Sequence, residues 1–229
     1  MNYYENQRVA DWAIKQVRER MLDGQARKGP WHASELYQCH RKTILHRHAT
    51  VPYDRDSILR FAMGFAIQEW FFGPEQVGQE VFGIILSPDH HISGNILEFK
   101  STRASYETYV KDDKGKPDKS VPKKRFDPSN LDHWVSRSRA YCAAFGAKKA
   151  HIIVMFVFQN DLHAWTLEFT DEELLQTQKE IEEKRDALDS YNNTYLSDGT
   201  LPPVSSRFGE WECPGCPYLT SHCKEEIGE

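Results

Sequence analysis

Three cysteines stand close together near the C-terminus, in Cys213-Pro-Gly-Cys216-Pro-Tyr-Leu-Thr-Ser-His-Cys223. A fourth, Cys39, lies far upstream in Ser34-Glu-Leu-Tyr-Gln-Cys39-His-Arg41-Lys42. Four thiolates are the donor set of a structural zinc ion or an iron–sulfur cluster. If Cys39 joins the other three, a metal centre pins the two ends of the chain together, and the segment between them is the working domain. Pro214-Gly215 supplies the tight turn that lets Cys213 and Cys216 share one centre. Structural zinc sites usually draw on two Cys-x-x-Cys knuckles, so a fourth cysteine standing alone suits a cluster better. His40 and His222 adjoin the candidate ligands and read as bystanders. Cys142, in Ala140-Tyr-Cys-Ala-Ala-Phe145, reads as a small buried hydrophobe. Five cysteines at uneven spacing do not make a disulfide framework.

The 229 residues suffice for one sizeable domain, and 39% hydrophobic with 12% aromatic content supports a real core. The most apolar stretch, Ala150 to Phe158, is too short to span a bilayer. Met1-Asn-Tyr-Tyr-Glu5 does not read as a secretory signal, so the expected location is the cytoplasm, with no membrane partner. The net charge of −5 averages opposed regions. Lys111 to Arg125 holds seven basic and three acidic residues, whereas Glu168 to Asp189 holds nine acidic and three basic. The acidic segment hides a local basic loop, and a nucleic-acid partner is not excluded.

Helical periodicity runs from Tyr4 to about Lys28 (Val9, Trp12, Ala13, Val17, Met21) and stops at Gly29-Pro30. Ser34 is a plausible N-cap for a second helix through about His48, with Cys39 inside it or close to it. A third helix is predicted from Asp56 to Phe72. The period then changes. Glu80 to Ser87 reads as one buried strand, His90 to Asn95 as a turn, and Asn95 to Thr102 as a second strand. Residues 105 to 128 form a long polar, lysine-rich loop. A helix from Leu131 to Phe145 follows, then strands Ala150 to Gln159 and Leu162 to Phe169. Thr170-Asp-Glu-Glu173 is a capping box that opens a helix to about Leu196. The order predicts a mixed α/β domain.

Glu98 and Lys100 are two apart on a predicted strand and so share a face, with Leu97 and Phe99 on the other. Asp89 precedes them across a short hairpin. Two carboxylates and a backbone carbonyl can hold Mg²⁺ or Mn²⁺, hard ions that prefer oxygen ligands. Such an ion lowers the pKa of a bound water and neutralises charge on a phosphate oxygen. Lys100 can orient that water or stabilise the developing charge. Taken alone, Glu-x-Lys on a strand is most often a solvated surface pair; Pro88-Asp89 just upstream and the cysteine set raise the functional reading.

Pro88-Asp89…Glu98-Phe99-Lys100 resembles the PD-(D/E)XK nuclease signature. Together with Cys39, Cys213, Cys216 and Cys223 it is similar to the iron–sulfur branch of the RecB-like nucleases, which includes the CRISPR-associated exonucleases and related phage proteins. Trp134…Tyr141-Cys-Ala-Ala-Phe-Gly146 resembles that family's helix after the catalytic strand. The resemblance covers about residues 31 to 223. It implies a restriction-endonuclease-like mixed sheet flanked by helices. Asp89 and Glu98 would be metal ligands helped by the Phe99 carbonyl, Lys100 the catalytic lysine, and the four cysteines the ligands of a [4Fe–4S] cluster, with zinc as second choice. Tyr141 would orient the metal water through its hydroxyl; burial is the bland alternative.

The implied activity is metal-dependent cleavage of DNA, exonucleolytic on single strands, with protein partners in recombination or CRISPR adaptation. The alternative is a DNA-binding or complex-subunit protein of the same fold with weak or no cleavage. The implied layout is a single domain, with residues 1–50 carrying the first cluster ligand, 56–196 the catalytic core and 200–229 the cluster-binding tail. Two positions depart from the family pattern. Gln68, in Gly64-Phe-Ala-Ile-Gln68-Glu69, stands where a histidine ligand is usual. Arg137 stands four residues before Tyr141, where glutamine is usual, and would contact a phosphate instead. Arg41 and Lys42 are expected to grip phosphates at the mouth of the site, and the loop lysines, Lys123 and Lys124 among them, to track the DNA backbone. Trp31 and Tyr37 are candidates for base stacking.

Overall fold

The computed structural model describes residues 7–25, 29–49, 53–73, 78–111, 114–128, 131–204 and 212–223. Helix α1 (Gln7–Gln25) packs on α4 (Arg55–Phe72). Parts of the predicted first helix (residues 4–6 and 26–28) and of the predicted tail (residues 205–211 and 224–229) lie outside the described residues. Asp54 caps α4 by accepting the Ser57 amide at 2.7 Å, and Gly73 closes it at φ 78°.

The helix predicted from Ser34 to His48 is two helices, α2 (Ala33–Leu36) and α3 (His40–His48). The reason lies in the side chains. Thr43 Oγ1 donates to the Glu35 carbonyl and Gln38 Nε2 donates to Thr43, so polar side chains take over where the helical ladder is broken. His32, not Ser34, stands at the N-cap of α2, and its amide donates to Glu35 Oε2 at 2.7 Å. Cys39 is the N-cap residue of α3.

The predicted strand from Glu80 to Ser87 is a hairpin, β2 (Gln79–Val81) and β3 (Ile84–Leu86). Phe82 and Gly83 turn between them with φ 56° and 72°. That pair of positive φ values is the turn that matches the twist of two antiparallel strands. A Cβ at position 83 would meet Arg185 Nη1 at 2.8 Å, the end of a flexible side chain that can move aside, so the positive φ is what favours glycine there. β3 also pairs in parallel with β1 (Trp31–His32), which brings the N-terminal segment into this small sheet.

The main sheet has the order β4 (His90–Ile92), β5 (Asn95–Thr102), β8 (Lys149–Phe156), β9 (Asp161–Glu168). β5 and β8 are parallel and the outer pairs antiparallel. Between β5 and β8 the chain makes a small ribbon, β6 (Glu107–Thr108) with β7 (Lys124–Arg125), and then α5 (Asp132–Phe145). The lysine-rich loop is therefore partly ordered. Its base is held because Tyr106 and Phe126 pack on Phe156 and Trp165.

Helices flank both faces of the main sheet. On one face Ile96 of β5 and Ala150 of β8 pack with Ala140, Tyr141 and Cys142 of α5 and with Ile181 and Leu188 of α6 (Asp171–Asp198). On the other, Phe99 of β5 meets Phe71 and Phe72 of α4. The predicted capping box is present: Glu173 N–H donates to Thr170 Oγ1 and Thr170 N–H to Glu173 Oε2. The observed architecture is mixed α/β, as the order of periodicities implied.

Among the described residues, no helix is long and apolar enough to cross a membrane.

Candidate active site

The register of the β4–β5 hairpin builds the site. His90 pairs with Leu97, so Asp89, one residue before the strand, comes opposite Glu98. Its Oδ2 accepts the Phe99 amide at 2.6 Å and its Oδ1 accepts from Gln68 Nε2 of α4 at 2.9 Å. Lys100 lies on the same face of β5 as Glu98. Its Nζ donates to Glu98 Oε1 at 2.5 Å and to the Phe99 carbonyl at 2.7 Å, and stands 3.8 Å from Asp89 Oδ2. Asp89, Glu98 and Lys100, named from sequence spacing, and Phe99 and Gln68, named from the family resemblance, are thus brought together.

This is no solvated surface pair. Glu98 is 1% exposed, because α5 covers its face of the sheet. A carboxylate so buried needs paired cations. Lys100 is one. Arg137 of α5 is the other, donating from Nη2 to the same Glu98 Oε1. Arg137 was expected on a phosphate; it binds the acid instead, a contact 39 residues away in sequence that no local pattern reveals. Tyr141, one turn further on, is 4% exposed and belongs to the core.

Burial, followed by the Glu98 charge, pushes the Asp89 carboxyl up to about 6, with Lys100 and the Phe99 amide opposing. Burial alone would also raise Glu98, but Arg137 and Lys100 outweigh it and hold Glu98 below its ordinary range. Burial and the Arg137 charge lower Lys100. Beside them His133 is lowered to about 4 by burial and by Arg137 and Lys100, so it is neutral at physiological pH.

The fit to a divalent ion turns on one atom. Glu98 Oε2 is buried and has no hydrogen-bond partner. Leaving such an acceptor unsatisfied costs about 1–3 kcal/mol or more for a charged group. A hard cation would supply the partner that atom lacks. Asp89, the Phe99 carbonyl and a reoriented Gln68 amide are oxygen donors in the same place, of the kind Mg²⁺ and Mn²⁺ take. Among the described residues, no three His, Cys, Asp or Glu side chains are already drawn in to single-ion spacing.

The basic residues expected at the mouth turn inward. Arg41 is 4% exposed, and its guanidinium donates to the carbonyls of Pro202 (2.7 Å) and His222 (2.8 Å). Lys42 bonds Glu212 at 2.9 Å. Both fasten the tail rather than face solvent. Lys123 lies 3.6 Å from Glu107 and over the Tyr109 ring, while Lys124 is exposed on the ribbon. Trp31 is buried, donates to Asp189 and is stacked by Arg47, and Tyr37 is buried under Lys184, so neither offers a face to a base.

The tail meets α3 at its N-terminus. Glu212 Oε2 accepts the Cys39 amide at 3.0 Å, which joins the first cysteine to the segment carrying the other three. Cys216 N–H donates to the Cys213 carbonyl at 2.9 Å, closing the Cys-Pro-Gly-Cys turn. Burial, then the neighbouring Cys39 and Cys223, raise the Cys213 thiol; burial is also the main cause at Cys216, with Cys223 and Cys39 contributing. Cys213 and Cys216 thus both lie within electrostatic reach of Cys39 and Cys223, and none of the four is in a disulfide. A cationic centre would relieve that repulsion. Buried Cys142 is raised to about 12 and stands apart as the inert hydrophobe expected.

No protein-family profile matches the chain, and no curated protein matches its sequence. Among solved structures, the one described as SSO0001 aligns over 93% of this chain and 95% of its own with a TM-score of 0.52 at 16% identity, a likeness of fold. An alkaline exonuclease (LHK-Exo) from Laribacter hongkongensis aligns over 78% of this chain and 96% of its own with a TM-score of 0.43 at 10% identity; its complex with dAMP aligns over 73% and 91% with a TM-score of 0.41 at 12% identity. Those two scores are too low to carry function across. The functional reading rests on the site.

Proposed function

We propose that this protein is a divalent-metal-dependent nuclease that hydrolyses phosphodiester bonds of DNA, acting from single-stranded ends. The observation that carries the reading is the buried, unpartnered Glu98 Oε2 beside Asp89 and Lys100. Asp89, Glu98 and the Phe99 carbonyl would hold Mg²⁺ or Mn²⁺, with Gln68 through its amide oxygen. The ion, when bound, supplies a water of lowered pKa and neutralises charge on the scissile phosphate. Lys100 keeps its ammonium at the acid pair and positions the attacking water or stabilises the developing oxyanion. The covering α5 excludes bulk water, which strengthens each of these interactions. Cys39, Cys213, Cys216 and Cys223 would hold a [4Fe–4S] cluster, whose role is to fasten the tail to α3.

The test is digestion of end-labelled linear and circular single strands with Mn²⁺. The reading expects loss of linear DNA only, abolished in Glu98→Ala and Lys100→Ala proteins that still bind the strand. Cleavage surviving both substitutions would refute it. The Arg137–Glu98 contact favours one second reading, a DNA-binding protein of the same fold with weak cleavage, because a guanidinium already occupies the acid. Strand retention without cleavage by the unmodified protein would support that alternative.

A further inference from the structure

Each polar atom of the acid pair but one is occupied by a donor from the protein. Glu98 Oε1 takes both Lys100 and Arg137; Asp89 takes Gln68 and the Phe99 amide; Glu98 Oε2 takes nothing. Two carboxylates face two cations, so the cluster is formally neutral. A divalent ion added there would leave it two units positive in a buried place. Arg137 cannot relieve this by releasing a proton, because a guanidinium stays charged. It has to leave Glu98 or find an anion. Arg137 Nε is itself buried and has no hydrogen-bond partner, so the guanidinium keeps an unused donor besides the Nη2 that binds the acid. A phosphate oxygen is an acceptor that a guanidinium takes through such donors.

Resting on the nuclease reading, we propose that Arg137 is a charge latch that couples metal uptake to nucleic-acid uptake. Without substrate it holds Glu98 and keeps the divalent ion weakly bound. A nucleic-acid phosphate draws the guanidinium away, and Glu98 then serves the ion with both oxygens. Arg137 acts on the metal through Glu98 and is a positioning residue in this role. By linkage the coupling is reciprocal: the ion must raise affinity for the phosphate by the same factor.

The experiment is calorimetric titration of Mn²⁺ into the whole protein, with and without saturating thymidine 5′-monophosphate, which has no internal phosphodiester to cleave. Wild type, Arg137→Gln, Arg137→Lys and Glu98→Gln proteins are compared. The nucleotide is expected to raise wild-type Mn²⁺ affinity roughly tenfold, within the usual span of such coupling. Arg137→Gln is expected to bind Mn²⁺ roughly tenfold more tightly than wild type without nucleotide, and to lose most of the nucleotide effect. Arg137→Lys, whose ammonium can release its proton and lacks the fork, should fall between wild type and Arg137→Gln. If the glutamine variant does not fold, Arg137→Met preserves the stem's packing and answers the same question. Equal Mn²⁺ affinity and equal nucleotide dependence in wild type and Arg137→Gln, both abolished by Glu98→Gln, would overturn the latch and leave the metal site standing. Mn²⁺ binding by neither protein would overturn both.

Discussion

Replacing Glu212 with alanine should release the tail from α3. The carboxylate is 3% exposed and makes two contacts: the Cys39 amide at 3.0 Å and Lys42 Nζ at 2.9 Å. The first satisfies an otherwise orphaned donor at a helix N-terminus, and a hydrogen bond to a charged group is worth about 1.5–3 kcal/mol. The second is a pair with one end 20% exposed, so it adds no more than about 1 kcal/mol. The expected loss is therefore about 1.5–4 kcal/mol. Because Glu212 links only the tail to the body, the loss falls on local opening of the tail before global unfolding. At about 1.4 kcal/mol per factor of ten, the open population rises roughly 10- to 700-fold. The assay is the rate at which a thiol reagent labels Cys213 and Cys216 in metal-free protein, read residue by residue by mass spectrometry. Glu212→Gln retains the acceptor for the Cys39 amide and should fall between wild type and alanine. Labelling rates within about twofold of wild type for Glu212→Ala would refute the reasoning, since the tail would then be held by contacts other than these.

Asp89, raised to about 6, makes metal binding pH-dependent. Below that value its carboxyl carries a proton the ion must displace, and above it none, so Mn²⁺ affinity should fall up to about tenfold per pH unit below 6 and level off above 7; a flat profile from pH 5 to 8 in calorimetry would contradict it. Arg47 donates to both oxygens of the buried Glu35, to the Gly29 and Pro30 carbonyls, and stacks 3.6 Å over Trp31. Arg47→Ala removes the cation from a carboxylate that is 3% exposed and should cost about 3–5 kcal/mol, seen as a lower denaturation midpoint with unchanged slope. Cys216→Ala should lower melting temperature and solubility, because metal-binding free energy in such a site is folding free energy; an unchanged melting curve would count against the sulfur centre.

What the chain discloses by itself follows the range of its interactions. The capping box at Thr170 and the stop at Gly146 are local, and each was legible from residues within a few positions, whereas His90–Ile92, read as part of a turn, is strand β4. Asp89, Glu98 and Lys100 were legible because hairpin register and strand alternation place them together. The β2–β3 turn was hidden because apolar residues stand on both sides of Phe82-Gly83, and an unbroken apolar run reads as one strand. Arg41 and Lys42 misled for a different reason. A charged residue on a short helix reads as solvated, and nothing near it shows that its partners lie some 160 to 180 positions on, at Pro202, Glu212 and His222. Arg137 likewise carries no local sign of Glu98. The Arg47–Glu35 ion pair that joins α2 to α3 escaped the same way, its partners lying twelve residues apart across the break between the helices.

The central claim is that a divalent ion sits on Asp89 and Glu98. Crystals of the protein grown with Mn²⁺, measured at the manganese absorption edge, test it without recourse to activity. The account predicts one anomalous peak within about 2–2.6 Å of Glu98 Oε2, in reach of Asp89. A manganese-replete crystal with that oxygen bare, or with its peak elsewhere, would contradict it.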